Sequence, residues 1–518
     1  MDYNELDWLL ALIPLLAVLG LMVGFSWSAS RAGLVGWLLA IGLAALRFGA
    51  GTDALAYAQL KALILAVDVS LIIWAALLLY AIADRAGALT VIAEGLSGLT
   101  SDGLIQVLLL GWVFASFLQG VGGFGVPVAI VAPLLIGLNV PQVRAVIVPS
   151  LGHGWAVTFG SLAASFVMLI RAVDMPGEDL ALAPAIMLGV LCLASGLMIA
   201  HVMEGWRGVW RALPFVLVTG TAMSVAQGLL AVYGLWTLGA IGGGFAGLVA
   251  AAIWIRWRAP AHEERPAPAV HPGRPLPSIR LALSAYAILV ILAFGLRGIV
   301  PVKDFLARWA VGVDIPATTT DRGWTVPEAQ DEGFGIPGHP GLVILYSSLI
   351  AYALFRRRGL YAPGAGRDIL AQSGRRAWRS AIGVFMMVAI AATMTRAGMM
   401  DILARGMSEN IPADLYAFVA PVIGALGAFV TGSNVNSNAV FGLLQRSTAE
   451  LLGLSVVTIL GAQTAAAAVA SVLSPAKVAV GCSTVGANEG VVLRRLLGYG
   501  AVQVVLVGIM AWIGLHIR

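Results

Sequence analysis

The chain has 518 residues, of which 60% are apolar and 11% charged, with a mean hydropathy of +0.93. A soluble protein carries about 25% charged residues, so this composition excludes a set of water-soluble domains and points to a polytopic membrane protein. The net charge of +5 sits in short loops between apolar runs, which is the pattern of membrane orientation and gives no reason to expect a nucleic-acid partner. Two cysteines, Cys192 and Cys482, are too few for a disulfide framework or a Cys-based metal centre.

The first apolar run follows Asp2, Glu5 and Asp7 with no basic segment ahead of it, so it reads as a span and not as a cleaved leader. A helix needs about 20 apolar residues to cross a bilayer. Clean runs cover Trp8 to Phe25, Gly33 to Phe48, Ala62 to Ala83, Leu180 to Ala200, Leu213 to Leu230 and Leu235 to Ile255. In the second half they cover Leu281 to Gly295, Gly341 to Phe355, Ala381 to Thr395 and Tyr499 to Leu515. Two regions, Leu104 to Ile170 and Ile411 to Glu489, are apolar but interrupted by Gly, Pro, Asn, Ser and Thr. The expected architecture is all-α, with about 12 to 14 membrane segments.

Loop charges set direction. The connection from Arg256 to Arg280 holds five basic residues against two acids, and that from Arg356 to Arg379 seven against Asp368, so both are expected in the cytoplasm. The loop 301–340 holds three basic residues against six acids and is expected outside. Counting spans outward puts Arg31, Arg207 and Arg211 inside, the stretch Asp174 to Asp179 outside, and both termini outside an inner (cell) membrane. Three spans precede an interrupted region in each half, but the first half starts outside and the second inside. That order is the signature of inverted-topology repeats, whose substrate sites form near the midplane from discontinuous helices. The expected units are 1–256 with a Gly-rich hairpin at 104–139, a cytoplasmic linker 257–280, and 281–518 with a polar hairpin at 412–445.

The first interruption, Phe117-Leu-Gln-Gly-Val-Gly-Gly-Phe-Gly-Val-Pro127, costs a helix about 1 kcal/mol per glycine and 3 per proline. Unwound backbone at membrane depth is tolerated only where protein or a wet cavity surrounds it. Gln119, Gly120, Gly122, Gly123, Phe124 and Gly125 are therefore candidates for a re-entrant tip whose N–H groups face an anion; a glycine-packed helix crossing is the other reading. The second, Phe429-Val-Thr-Gly-Ser-Asn-Val-Asn-Ser-Asn438, places Thr431, Ser433, Asn434, Asn436, Ser437 and Asn438 around Gly432 in an apolar stretch. Each unpartnered polar group there costs roughly 1–3 kcal/mol, so the cluster needs substrate, an ion, water or neighbouring helices.

These segments resemble the bacterial lactate permease family. Residues 117–129 resemble its Gly-rich motif, and TGSNVNSNAVFGLLQ (431–445) with Thr448-Ala-Glu450 its second motif; Ser474-Pro475, Val478-Ala-Val480, Gly490 and Arg494 continue the likeness. The resemblance implies a secondary transporter of small 2-hydroxy monocarboxylates such as lactate and glycolate, moved with protons and without other cofactor. It departs at three places. Gln119 and Asn434 stand where the family usually has acids, and Ser471 where it has a lysine, while Lys477 lies three residues after Ser474.

The coupled proton then needs another carrier. Asp68, within an apolar run, and His153, in Gly152-His-Gly-Trp155, are the candidates; Asp68 at the outer interface and His153 as a structural residue are the alternatives. Lys477 can serve as the anion's counter-charge or snorkel to an interface, and Gln463, Thr464 and Ser474 can contact substrate or pack. Sodium coupling, an uncoupled carrier of another small anion, or a membrane subunit of a larger complex remain open. No G-x-x-x-x-G-K-[ST] phosphate loop is present. The sequence is silent on oligomeric state.

Overall fold

The computed structural model describes residues 4–123, 125–258, 276–330 and 334–517. Phe124 and most of the linker 257–280 lie outside them. Among the described residues, twelve helical segments are long and apolar enough to cross a membrane.

The elements run in two parallel series. The first is α1 (Glu5–Phe25), α2 (Ala29–Leu46), α3 (Thr52–Arg85), α4 (Ala88–Ser97), α5 (Gly103–Val121), α6 (Val126–Gly137), α7 (Gln142–His153) and α8 (Ala164–Val173). After it come α9 (Leu182–Val232), which doubles back at Gly205 (φ 64°), and α10 (Gly239–Arg258). The second series is α11 (Ile279–Ala293), α12 (Val300–Ala307), α13 (Pro340–Arg357), α14 (Ala365–Arg396), α15 (Met399–Asn410), α16 (Ala413–Thr431), α17 (Asn434–Leu451), α18 (Val456–Val472), α19 (Pro475–Val485) and α20 (Glu489–His516). In each series a long helix (α3, α14) ends at a left-handed glycine, Gly87 or Gly398, which only a residue without Cβ adopts freely. A short helix with one buried face follows (α4, α15), then two helix–break–helix units in succession. Packing is reciprocal: α2 lies on α14 and α13 on α3, α1 on α15 and α11 on α4, α6 on α19 and α17 on α8.

Polar contacts sort the loops into two faces. Asp7 at the start of α1 accepts from Arg47 after α2 (2.7 Å) and from Arg322 of the 301–340 segment (2.8 Å). That segment forms a β-ribbon, pairing Ala310 with Gly335, Asp314 with Gln330 and Thr318 with Val326. On the opposite face Arg211 pairs with Asp102 (2.7 Å) and Glu204 (3.1 Å), and Tyr361 donates to the carbonyl of Ile82 (2.9 Å). His516 lies 3.4 Å from Asp414, and Arg446 donates to the carbonyl of Val173.

The most buried layer is α5, α7, α18 and the chain between α7 and α8, where Trp112, Trp155, Phe117 and Phe159 are all enclosed. Close crossings there need glycine. A Cβ on Gly152 would stand 1.9 Å from the carbonyl oxygen of Gly111, in a π-helical stretch (Leu109–Phe114) of α5. Because the obstacle is backbone, Gly152→Ala is expected to cost at least the ~1–3 kcal/mol of an overpacked core. A fall of several degrees in detergent melting temperature checks it, and an unchanged Tm would contradict the crossing.

Candidate substrate site

Both interruptions expected from the sequence are present. α5 ends at Val121, and Gly123 (φ 53°) and Gly125 (φ 83°) turn the chain before Pro127 enters the first turn of α6. Gly122 lies against the Tyr80 ring, and a Cβ on Gly123 would fall 1.8 Å from Ser161 Oγ. Gln119 is buried, its Nε2 facing both Gly123 and Gly160. Gly120 does a different job: a Cβ there would meet the backbone N of Ile241 at 2.6 Å, so it seats α10 against α5.

The second interruption centres on Gly432, left-handed at φ 67°, and on Ser433, which caps α17 by accepting from the Asn436 N–H (3.3 Å). Thr431 Oγ1 turns back to the carbonyl of Gly427 (2.7 Å). Ser474, at the start of α19, faces Gly432: a Cβ there would lie 3.1 Å from its Oγ. Lys477, half-buried one turn on, reaches back so that its Nζ lies 3.4 Å from Ser471 Oγ. Its ammonium therefore stands beside the side chain of Ser471.

The two interruptions meet through residues 154–165. Gly160 and Ser161 lie on Gln119 and Gly123, while Thr158 accepts from Asn434 Nδ2 (3.1 Å) and donates to the Thr464 carbonyl (3.2 Å). Asn434 Nδ2 also donates to the Thr464 carbonyl (3.3 Å). Asn438 Nδ2 donates to the carbonyl of Ser165 and to Thr464 Oγ1, both at 2.9 Å. Ser161, Leu162 and Ala163 are three consecutive left-handed residues (φ 47°, 56°, 63°), a turn costing roughly 1–2 kcal/mol per residue. Strain of this kind persists where the surroundings over-determine it, and it gathers at binding sites.

The polar cluster divides into two sets. Ser437 donates to the Gly424 carbonyl (2.8 Å) and accepts from Gln463 (3.1 Å); Gln445 donates to Gln463 (3.1 Å) and accepts from Tyr416 (2.7 Å). Ser437 and Gln463 are thus engaged in a chain of hydrogen bonds fastening α16, α17 and α18. Asn436 Oδ1, Asn438 Oδ1, Ser474 Oγ and His153 Nε2 are buried and make no hydrogen bond among the described residues. His153 Nδ1 bonds the Pro149 carbonyl at 2.5 Å.

Asp68 is elsewhere. Gly122 packs on Tyr80, twelve residues further along α3, or ~18 Å at 1.5 Å per residue. Asp68 is buried and bonded by His339 Nε2 (2.5 Å), with Arg171 Nε of α8 at 3.4 Å. His339 Nδ1 accepts the N–H of Gly341 (3.1 Å), so Nε2 carries the proton that Asp68 receives as a hydrogen bond. Thr158, Ser161, Ser165, Arg171 and His339 escape the sequence reading; the first three fall inside the interrupted region Leu104 to Ile170, and Arg171 and His339 carry no signal there.

Many apolar helices, with paired breaks joined by buried polar groups, define a multi-pass membrane transporter. The fold resembles that of the Alcanivorax borkumensis YdaH transporter, with a TM-score of 0.51 and 15% identity over 94% of this chain and 98% of that one. Residues 7–518 match the family described as L-lactate permease, and the chain belongs to it. Relatives include the L-lactate permease of Halalkalibacterium halodurans, 24% identical over 97% of this chain and 96% of its own. The L-lactate permease of Escherichia coli K12 is 24% identical over 85% and 83%, and its glycolate permease GlcA 26% identical over 98% and 95%. The relatives are permeases, and this protein is a transporter and not an enzyme.

Proposed function

We propose that the protein carries small 2-hydroxy monocarboxylates, lactate or glycolate, across the inner membrane in symport with protons. The observation that supports this most is the meeting of both helix breaks through Thr158, Ser161, Asn434 and Thr464, in a chain whose relatives are lactate and glycolate permeases. Ser474 and the N–H groups about Gly123 suit the carboxylate, the Asn436 and Asn438 amide oxygens suit the substrate hydroxyl, and Lys477 supplies counter-charge. The reciprocal packing of the two series supports inverted repeats, with the ribbon face and both termini outside. Rocking of the break-bearing helices against α3 and α14 then gives alternating access.

Labelled lactate and glycolate uptake into proteoliposomes tests the reading. Accumulation is expected under an imposed inward proton gradient and not under a sodium gradient, and choline in place of sodium should change nothing. The reverse pattern would make sodium the coupling ion. Lys477→Gln is expected to raise KM at least tenfold, and Lys477→Arg to recover part of it; a KM unmoved by either would remove Lys477 from the site.

A further inference from the structure

On the ribbon face, the seam between α3 and α14 on one side and α8 and α17 on the other opens into a cavity of about 80 Å³. A water takes roughly 10–15 Å³ of such space, so it admits several waters or one small organic anion. Its walls are apolar, with Leu65, Met168, Val388 and Ala439, and the β-ribbon roofs it with Val326 and Ala329. The charged lining residues are both cations, Lys61 and Arg396.

Arg396 is 4% exposed and donates to Thr318 Oγ1 (2.7 Å) and the Pro316 carbonyl (3.3 Å) of the ribbon, with its guanidinium 5.7 Å from the Tyr57 ring centroid. These partners are uncharged, so its positive charge is held in place without being neutralised. Lys61 is half-buried and has no ion-pair or hydrogen-bond partner among the described residues. The inner wall leads to the candidate site: Ala439 follows Asn438, whose Oδ1 is unpartnered, and Met168 lies three residues past Ser165, which receives the Asn438 amide.

We propose that this cavity is an entry subsite for the transported anion, distinct from the site at the helix breaks. Lys61 and Arg396 draw a carboxylate under the ribbon while the apolar wall takes a carbon chain of a few atoms. Strongly hydrated inorganic anions gain nothing from such a wall. The inference rests on the carboxylate reading for its ligand and on the cavity alone for its charge, so the two are tested separately.

The charge is probed on Ala392→Cys, a lining position, in the full-length protein in proteoliposomes, using a sulfonate-bearing and a quaternary-ammonium thiosulfonate reagent. Wild type, whose Cys192 and Cys482 are buried, provides the blank. The anionic reagent is expected to react at least tenfold faster. Adding Lys61→Gln or raising ionic strength should bring the ratio towards one, and equal rates in Ala392→Cys alone overturn the subsite. In uptake, Lys61→Gln is expected to raise the KM for lactate about fivefold at unchanged maximal rate, with Lys61→Arg restoring it; an unchanged KM also overturns it. A clear preference for the anionic reagent in a protein that moves neither lactate nor glycolate upholds the anion subsite and overturns the carboxylate reading.

Discussion

Asn434→Leu is expected to cut lactate uptake by proteoliposomes at least a hundredfold. The Asn434 amide is the donor shared by Thr158 Oγ1 and the Thr464 carbonyl, and so ties the second break to the chain that lies on the first. Leaving such buried groups unmet costs roughly 1–3 kcal/mol each, and about 1.4 kcal/mol is a factor of ten. Ser437→Ala on the same helix is the control. Ser437 bonds Gly424 and Gln463 within the helix packing, so its loss should lower Tm while leaving KM near wild type. Asn434→Asp sharpens the test, because an ionised carboxylate would set an acceptor against the Thr464 carbonyl, whereas a protonated one can donate. Its uptake should be poor at neutral pH and recover on acidification. Wild-type kinetics in the leucine variant would show that the two breaks work without this bridge.

The places where the sequence was informative share one physical cause. Glycine and proline between Gly120 and Pro127, and an Asn/Ser/Thr run between Thr431 and Asn438, are too costly inside an ordinary buried helix, so both interruptions announced themselves. The bridge between them did not. Ser161, Leu162 and Ala163 form a left-handed turn without a glycine among them, because tertiary contacts and not local preference hold it. Ser437 and Gln463 carried the same polar signal as Asn434, and only their partners distinguish fastening of neighbouring helices from bridging the two breaks. Composition likewise marked Asp68 as unusual but could not supply His339, 271 positions away.

That pair carries the second large effect. Asp68→Asn is expected to abolish lactate accumulation driven by a proton gradient while preserving exchange of labelled for unlabelled lactate, which needs no net proton movement. Asp68 joins three elements: α3 bears it, His339 before α13 donates to it, and Arg171 on α8 forms its ion pair. α3 and α13 pack together, whereas α8 is an arm of a helix–break–helix unit lying on α17. Protonating the carboxylate removes the charge that attracts Arg171 and weakens a link between the packed pair and that arm. A proton bound ~18 Å along α3 from the level of Gly122 can thus alter the freedom of the break-bearing part without touching substrate. His339→Ala should lower gradient-driven accumulation and keep exchange, because it removes the donor that ties Asp68 to the start of α13. A decrease in exchange matching the decrease in accumulation would make the cluster structural. Full gradient-driven accumulation in Asp68→Asn would leave His153 as the remaining proton carrier. His153→Gln should then lose accumulation and keep exchange in its place.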